Sequence, residues 1–143
     1  FDTTNPQKPL WEFRCEQCSV GGDVKGGIDI SADGSKIIAA FGEMVALFDK
    51  SSSKPVWKYQ GGNSYNVAVS KDGKYMAAAT AGEEENVNSN LLILWSDKSE
   101  KPLWQYHSSG NFHDVSLSSD GSLIAGSTGC PDRVFYIFSK YSK

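Results

Sequence analysis

The sequence lacks any hydrophobic run long enough to cross a bilayer. A transmembrane helix needs about 18 or more consecutive apolar residues, and the longest apolar stretches, 76–79 and 91–95, have only the length of a strand. No segment combines a sustained helical period with capping residues, so almost no helix is expected. These absences predict an all-β chain that does not insert into membranes.

Concentrated positive charge is also missing. The formal net charge is -3, and the lysines are spread among the turns. Binding to a phosphate backbone requires a basic patch, so no nucleic-acid partner is expected. The chain has only two histidines, His107 and His113. No combination of Ser, His and Asp has a spacing that singles out a catalytic triad, so hydrolase chemistry has no support.

Cysteine is scarce, and its count is odd. Cys15, Cys18 and Cys130 cannot form a complete set of disulfides within one chain. Cys15 and Cys18 have the Cys-x-x-Cys spacing of zinc sites and redox motifs, but the redox motif normally opens a helix. Three states stay open: a disulfide between two cysteines, free thiols, or zinc bound by all three with His107 or His113.

Two short motifs recur along the chain. Lys-Pro-Leu/Val-Trp occurs at 8–11, 54–57 and 101–104, at offsets of 46 and 47 residues. This period is typical of a propeller blade. Ser-x-Asp-Gly occurs at 31–34, 70–73 and 118–121, and Asp-Gly indicates a tight hairpin turn. The recurring positions are expected to be structural: Trp11, Trp57, Trp104, Asp33, Gly34, Asp72, Gly73, Asp120 and Gly121.

Each repeat predicts four antiparallel strands, a to d. Strand a leads into Ser-x-Asp-Gly, strand b is rich in small residues, and strand c ends in an aromatic residue. Strand d begins at Lys-Pro, which is tolerated because d is an edge strand. The prediction is one β-propeller segment over 1–143. Its strands are d at 8–14, a-b-c-d at about 26–60 and again at about 64–107, and a-b-c at about 112–139.

These motifs resemble two propeller families, and the resemblance covers Lys8 to Lys140. Residues 46–62 resemble the tryptophan-docking repeat of PQQ-type quinoprotein propellers. Residues 67–73 resemble WD40-type repeats in a looser form, because strand c ends in Phe48-Asp49, Trp95-Ser96 and Phe138-Ser139 rather than Trp-Asp. The resemblance implies a scaffold for binding or catalysis, with the tryptophans packed between blades. A quinoprotein's full ring and acidic metal ligands have no match here, so no cofactor is expected.

Three blades are fewer than the roughly four to eight of a closed propeller. The strand d at the front of the chain is the offset that completes the last blade in closed rings. We therefore expect residues 8–14 to complete a blade of another copy, most simply with two copies and six blades. The alternative is an excised piece of a longer propeller, which the absence of an initiator methionine and of a signal-like segment also suggests.

If the strands alternate in direction, the d-a and b-c connections share one face. All length variation between the repeats falls there, and loops on a rigid scaffold are where binding residues concentrate. Loop drift without function is the alternative, and a run of three glutamates can simply be solvated. The candidate binding residues are Cys15, Cys18, Glu83, Glu84, Glu85, His107, His113, Cys130, Asp132 and Arg133.

The function expected from these features is a non-catalytic interaction module that binds a protein or peptide through the variable face. A first alternative is a structural subunit that assembles by head-to-tail strand complementation into a ring or filament. A second is a fragment of a quinoprotein-like enzyme. A propeller fold by itself does not choose among them.

Overall fold

A computed structural model describes residues 8–16, 18, 27–82 and 89–142. Within these ranges the regular elements are eleven strands, arranged in three antiparallel sheets. None of the described residues belongs to a helix that could cross a membrane. The strands are β1 (Ile28–Ile30), β2 (Lys36–Phe41), β3 (Met44–Asp49), β4 (Pro55–Gln60), β5 (Asn63–Val69), β6 (Tyr75–Ala81), β7 (Leu91–Ser96), β8 (Trp104–His107), β9 (Phe112–Leu117), β10 (Leu123–Thr128) and β11 (Phe135–Ser139).

Each sheet is a simple meander. Sheet 1 contains β1 to β4, sheet 2 contains β5 to β8, and sheet 3 contains β9 to β11, with neighbours in sequence paired antiparallel. The predicted all-β class and propeller blades are confirmed. One element differs from the expectation, because residues 8–14 do not form a strand in this chain. Sheet 3 therefore has three strands, and the total is eleven rather than twelve.

The Ser-x-Asp-Gly turns share one hydrogen-bond pattern. In sheet 2, Ser70 Oγ donates to Asp72 Oδ1 at 2.7 Å and accepts the Tyr75 amide at 3.0 Å. Hydrogen bonds from the Ser35 amide and the Ser31 hydroxyl lower the pKa of Asp33 from 3.8 to about 2. The equivalent carboxylate of sheet 3 has a pKa of about 2 for the same reason. These turns are thus stabilised by hydrogen bonds between residues of the turn itself.

The three sheets stack face to face. Residues of β2 and β3 pack against β5, β6 and β7, and the opposite side of sheet 2 packs against sheet 3. Strand β6 is buried along Met76–Ala81, where a run of alanines lets sheets approach from both sides. Asp29 Oδ2 also accepts the Val69 amide at 2.8 Å, which links the inner strands of sheets 1 and 2.

A tryptophan from each Lys-Pro motif lies on the following sheet. Trp57 lies 5.8 Å from Trp95, and Trp104 lies 5.4 Å from Phe138, between ring centroids. Trp11 lies 5.6 Å from the Phe48 ring in the same way. Residues 8–14 therefore occupy on sheet 1 the place that β4 occupies on sheet 2, and sheet 3 has no fourth strand among the described residues.

Candidate binding face

The d-a and b-c connections meet on one side of the stack. The Gly61 amide donates to the Glu43 carbonyl at 2.9 Å, and the Ser108 amide donates to the Asn90 carbonyl at 3.1 Å. The Gly129 amide makes the same link in sheet 3, to Asn111 at 2.9 Å. We call this side the loop face, and its described residues are 12–16, 18, 27, 42–43, 61–62, 82, 89–90, 108–111 and 129–134. The opposite side, with the Ser-x-Asp-Gly turns and the c-d turns, is the turn face.

Cys15 and Cys18 form a disulfide with their Cα atoms 5.4 Å apart. Both are partly buried beside the aromatic side chains that cover sheet 1. Pairing leaves neither sulfur available as a thiolate, so the zinc hypothesis that joined them to Cys130 is not supported. Cys130 is a free, exposed cysteine. No group of three or more His, Cys, Asp or Glu side chains in the described part of the chain is arranged to hold a metal.

A cleft of about 590 Å³ opens beside this disulfide, where residues 13–16 and 18 lie at the end of sheet 1. Its apolar walls include Phe13, Phe41 and Tyr59. The Phe13 and Phe41 rings are 5.4 Å apart, and Lys58 Nζ lies 5.9 Å from the Phe13 ring centroid. Charges of both signs line the same cleft, in Arg14, Glu16, Glu43 and Lys58.

Sequence reasoning missed most of this cleft, because its walls come from strand ends rather than from a motif. The residue type at the end of β2 could have indicated the cleft. Thr80 and Thr128 hold the equivalent position in the other sheets. Their Oγ1 atoms accept the amides of Leu91, the first residue of β7, and Val134, the residue before β11, at 3.1 and 3.0 Å. Sheet 1 has Phe41 there instead, beside a two-residue connection that needs no threonine.

A second group of candidate residues lies on the loop of sheet 3. The Asp132 carboxylate accepts the Ser109 hydroxyl and, at 3.1 Å, the Gly110 amide. The hydrogen bond from Ser109 is the main cause of the lowered pKa of Asp132. Asp132 therefore fastens the d-a loop to the b-c loop. The neighbouring Arg133 has a φ of 52°, and its guanidinium donates to Cys130 Sγ at 3.3 Å.

The two histidines occupy different environments on the loop side. His113 is exposed at the start of β9, and its ring lies 5.3 Å from that of Tyr65. His107 is exposed at the end of β8, opposite Leu91. The structure thus groups His113 with the sheet 3 loop, while the disulfide lies on sheet 1, with sheet 2 between them. Glu83, Glu84 and Glu85 lie outside the described residues.

The chain matches no protein-family model and no curated protein. Among solved structures it is similar to the crystal structure of the β-propeller domain of Cps50 (Swd1) from Myceliophteria thermophila, with a TM-score of 0.62 and 14% identity. The match covers 84% of this chain and 38% of that chain. At this identity, the likeness shows that the chain has a β-propeller fold and spans well under half of that neighbour.

Proposed function

We propose that the chain is a non-catalytic module that binds a protein or peptide through its loop face. The observation that carries this proposal is the cleft of about 590 Å³ beside the disulfide. It combines three aromatic side chains with a rim of both charges. Aromatic anchors within a polar rim are the usual anatomy of a protein-binding site.

The cleft suggests the chemistry of its ligand. Phe13, Phe41 and Tyr59 can take an apolar or aromatic anchor side chain. The rim offers partners for charges of either sign on the flanking residues. The Cys15–Cys18 disulfide closes a short loop in the cleft wall, which lowers the ordering cost of binding. A peptide with one bulky apolar residue between charged residues is the best match.

The test uses a displayed random-peptide library selected on the immobilised chain. The affinity of enriched peptides is then measured by fluorescence anisotropy for Tyr59→Ala and for Glu43→Lys. Glu43 is exposed, so its charge reversal leaves the core intact. Loss of a contact in the centre of the site should raise Kd about 10-fold.

Lys71→Ala is the matched control, because Lys71 is an exposed charge on the turn face. This variant should bind the selected peptides within about 2-fold of the parent chain, as expected for a residue outside the contact. Reduction of the disulfide should weaken binding in the parent chain and leave circular dichroism unchanged. Peptides that bind both cleft variants as tightly as the parent would contradict the proposed site.

A further inference from the structure

Sheet 1 has an apolar side that neither of the other two described sheets covers. Ile28 and Ile30 of β1 are 75% and 56% exposed. Their repeat equivalents in sheet 2, Val67 and Val69, are buried because they pack against sheet 1. The same sequence positions are thus core in one sheet and surface in the other.

Sheet 3 has the opposite side uncovered. Phe135 and Ile137 of β11 are 85% and 67% exposed. Their equivalents in sheet 2, Leu92 and Leu94, are completely buried against sheet 3. Exposed apolar patches of this kind on a soluble domain mark an interaction surface.

The two uncovered sides are complementary. Within the chain, the side of sheet 2 that carries Leu92 and Leu94 packs on the side of sheet 3 that is equivalent to the Ile28 and Ile30 side of sheet 1. The Phe135 and Ile137 side of sheet 3 is equivalent to the first of these sides, and the Ile28 and Ile30 side of sheet 1 is equivalent to the second. The two uncovered sides therefore have the geometry to pack on one another. In the two internal contacts, a strand b residue also meets the turn glycine of the next sheet. Tyr75 lies against Gly121 in this way, and its equivalent Leu123 is exposed.

Residues 8–14 show which part of a blade would pack beside sheet 1. Trp11 packs on Phe48 and donates from Nε1 to the Lys50 carbonyl at 2.7 Å. Trp104 of β8 makes the equivalent bond to the Lys140 carbonyl at 3.2 Å. Residues 8–14 are therefore docked as the outer strand of a blade, without strands a to c beside them. Sheet 3 has strands a to c, and β11 has no outer strand among the described residues.

We propose that the occupant of both surfaces is a second copy of this chain. Sheet 3 of one copy packs on Ile28 and Ile30 of the other, and its β11 pairs with residues 8–14 of that copy. Leu123 then lies over Gly34, as Tyr75 lies over Gly121. The contact is head-to-tail, so copies form a closed ring or an extending filament. This inference concerns the open sides of sheets 1 and 3, which share with the loop-face cleft only Phe13 and Arg14, and it does not rest on the proposed function.

The test is the solution mass of the chain by light scattering over a concentration series. The parent should exceed its monomer mass of 15.6 kDa by a factor of two or more. Ile30→Asp removes the sheet 1 surface, and Ile137→Asp removes the sheet 3 surface. Each variant alone should be monomeric, since a buried unpaired charge opposes association. An equimolar mixture should form a dimer, because it retains one intact surface of each kind.

Leu103→Asp is the control, since Leu103 is about as exposed but lies on sheet 2, away from both surfaces. It should associate like the parent. A monomeric parent, a variant that still self-associates, or a mixture that stays monomeric would overturn the proposal.

Hydrogen exchange of the parent chain tests the proposal even if a variant fails to fold. Amides of β11 should exchange at least about 10-fold more slowly at concentrations where copies associate than after dilution. Amides of β4 should not change with concentration, because β4 already pairs with β3 within the chain. Equal exchange of β11 at both concentrations would also overturn the proposal.

Discussion

Leu94 and Ile137 hold the same place in successive repeats, one residue before the strand c aromatic, and their surroundings are opposite. Leu94 is completely buried between sheets 2 and 3, whereas Ile137 is exposed on the open side of sheet 3. A local pattern specifies which residues face a neighbouring blade. Whether a neighbour is present is a separate property, and only the stack of sheets shows it. The middle sheet is thus core on both sides, whereas each outer sheet leaves part of one side at the surface.

The largest expected effect tests this comparison directly. Leu94→Ala should lower the free energy of unfolding by about 2–5 kcal/mol, because it opens a cavity in a packed interface. Ile137→Ala should change it by less than about 0.5 kcal/mol at concentrations where the chain is monomeric, since Ile137 is exposed. Urea denaturation monitored by circular dichroism measures both. Equal losses in the monomer would show that sheet 3 is covered on both sides.

A second pair compares the turn glycines of sheets 3 and 1. A Cβ at Gly121 would lie 2.4 Å from Tyr75 Cδ2, whereas one at Gly34 would meet only Ile30 Cδ1, at 3.8 Å. Both have positive φ, which costs any residue with a Cβ about 1–2 kcal/mol. Gly121→Ala adds overpacking of about 1–3 kcal/mol. The thermal midpoint should therefore fall further for Gly121→Ala than for Gly34→Ala, and a reversed order would contradict the stacking of sheets 2 and 3.

The docking tryptophans provide a smaller effect within the covered interfaces. Trp104 Nε1 donates to the Lys140 carbonyl at 3.2 Å. Trp57 Nε1 is buried without a hydrogen-bond partner in the described part of the chain. Replacing each by Phe removes a similar volume, but only Trp104→Phe loses a bond. That variant should be less stable by about 1 kcal/mol than Trp57→Phe in matched urea titrations. Equal losses would contradict this account.

The smallest expected effect concerns pH and the turn face. The folded pKa of Asp120 is about 2, below its ordinary 3.8, mainly because the Ser122 amide donates to the carboxylate. The stability that this bond contributes is present above pH 3.8 and is lost as the pH falls toward 2. Asp120→Asn should therefore differ from the parent at neutral pH and converge with it in acid.

Denaturant titrations from pH 2 to pH 7 measure that difference. Ser119→Ala is the control, because Ser119 is an exposed residue of the same turn that does not titrate. Its difference from the parent should be constant across the range. A constant difference for Asp120→Asn as well would show that the turn carboxylate does not contribute to acid sensitivity.

Local chemistry made most strands predictable. The Ser-x-Asp-Gly turn closes by bonds within a few residues, and strands b and c follow it in all three sheets. The register in β6 follows from the same turn, since Met76 is paired with Val69. β1 has three residues, whereas the equivalent strands β5 and β9 have seven and six.

The candidate site was less predictable. The candidate loop residues that the structure describes are spread over all three sheets, because the type of a side chain does not determine its distance from another. The cleft walls Phe41 and Tyr59 belong to strands, and no motif marks them. Only their position beside residues 13–16 and 18 makes them neighbours.

The sequence by itself determined the blades, because turn chemistry and the alternation of strands act over a few residues. It also determined that a tryptophan stands near the start of strand d in each repeat. Only the tertiary structure decided where residues 8–14 lie, that Cys15 pairs with Cys18, and which apolar faces stay uncovered. These depend on contacts between distant segments, and an apolar residue has the same sequence signature whether a neighbouring sheet covers it or not.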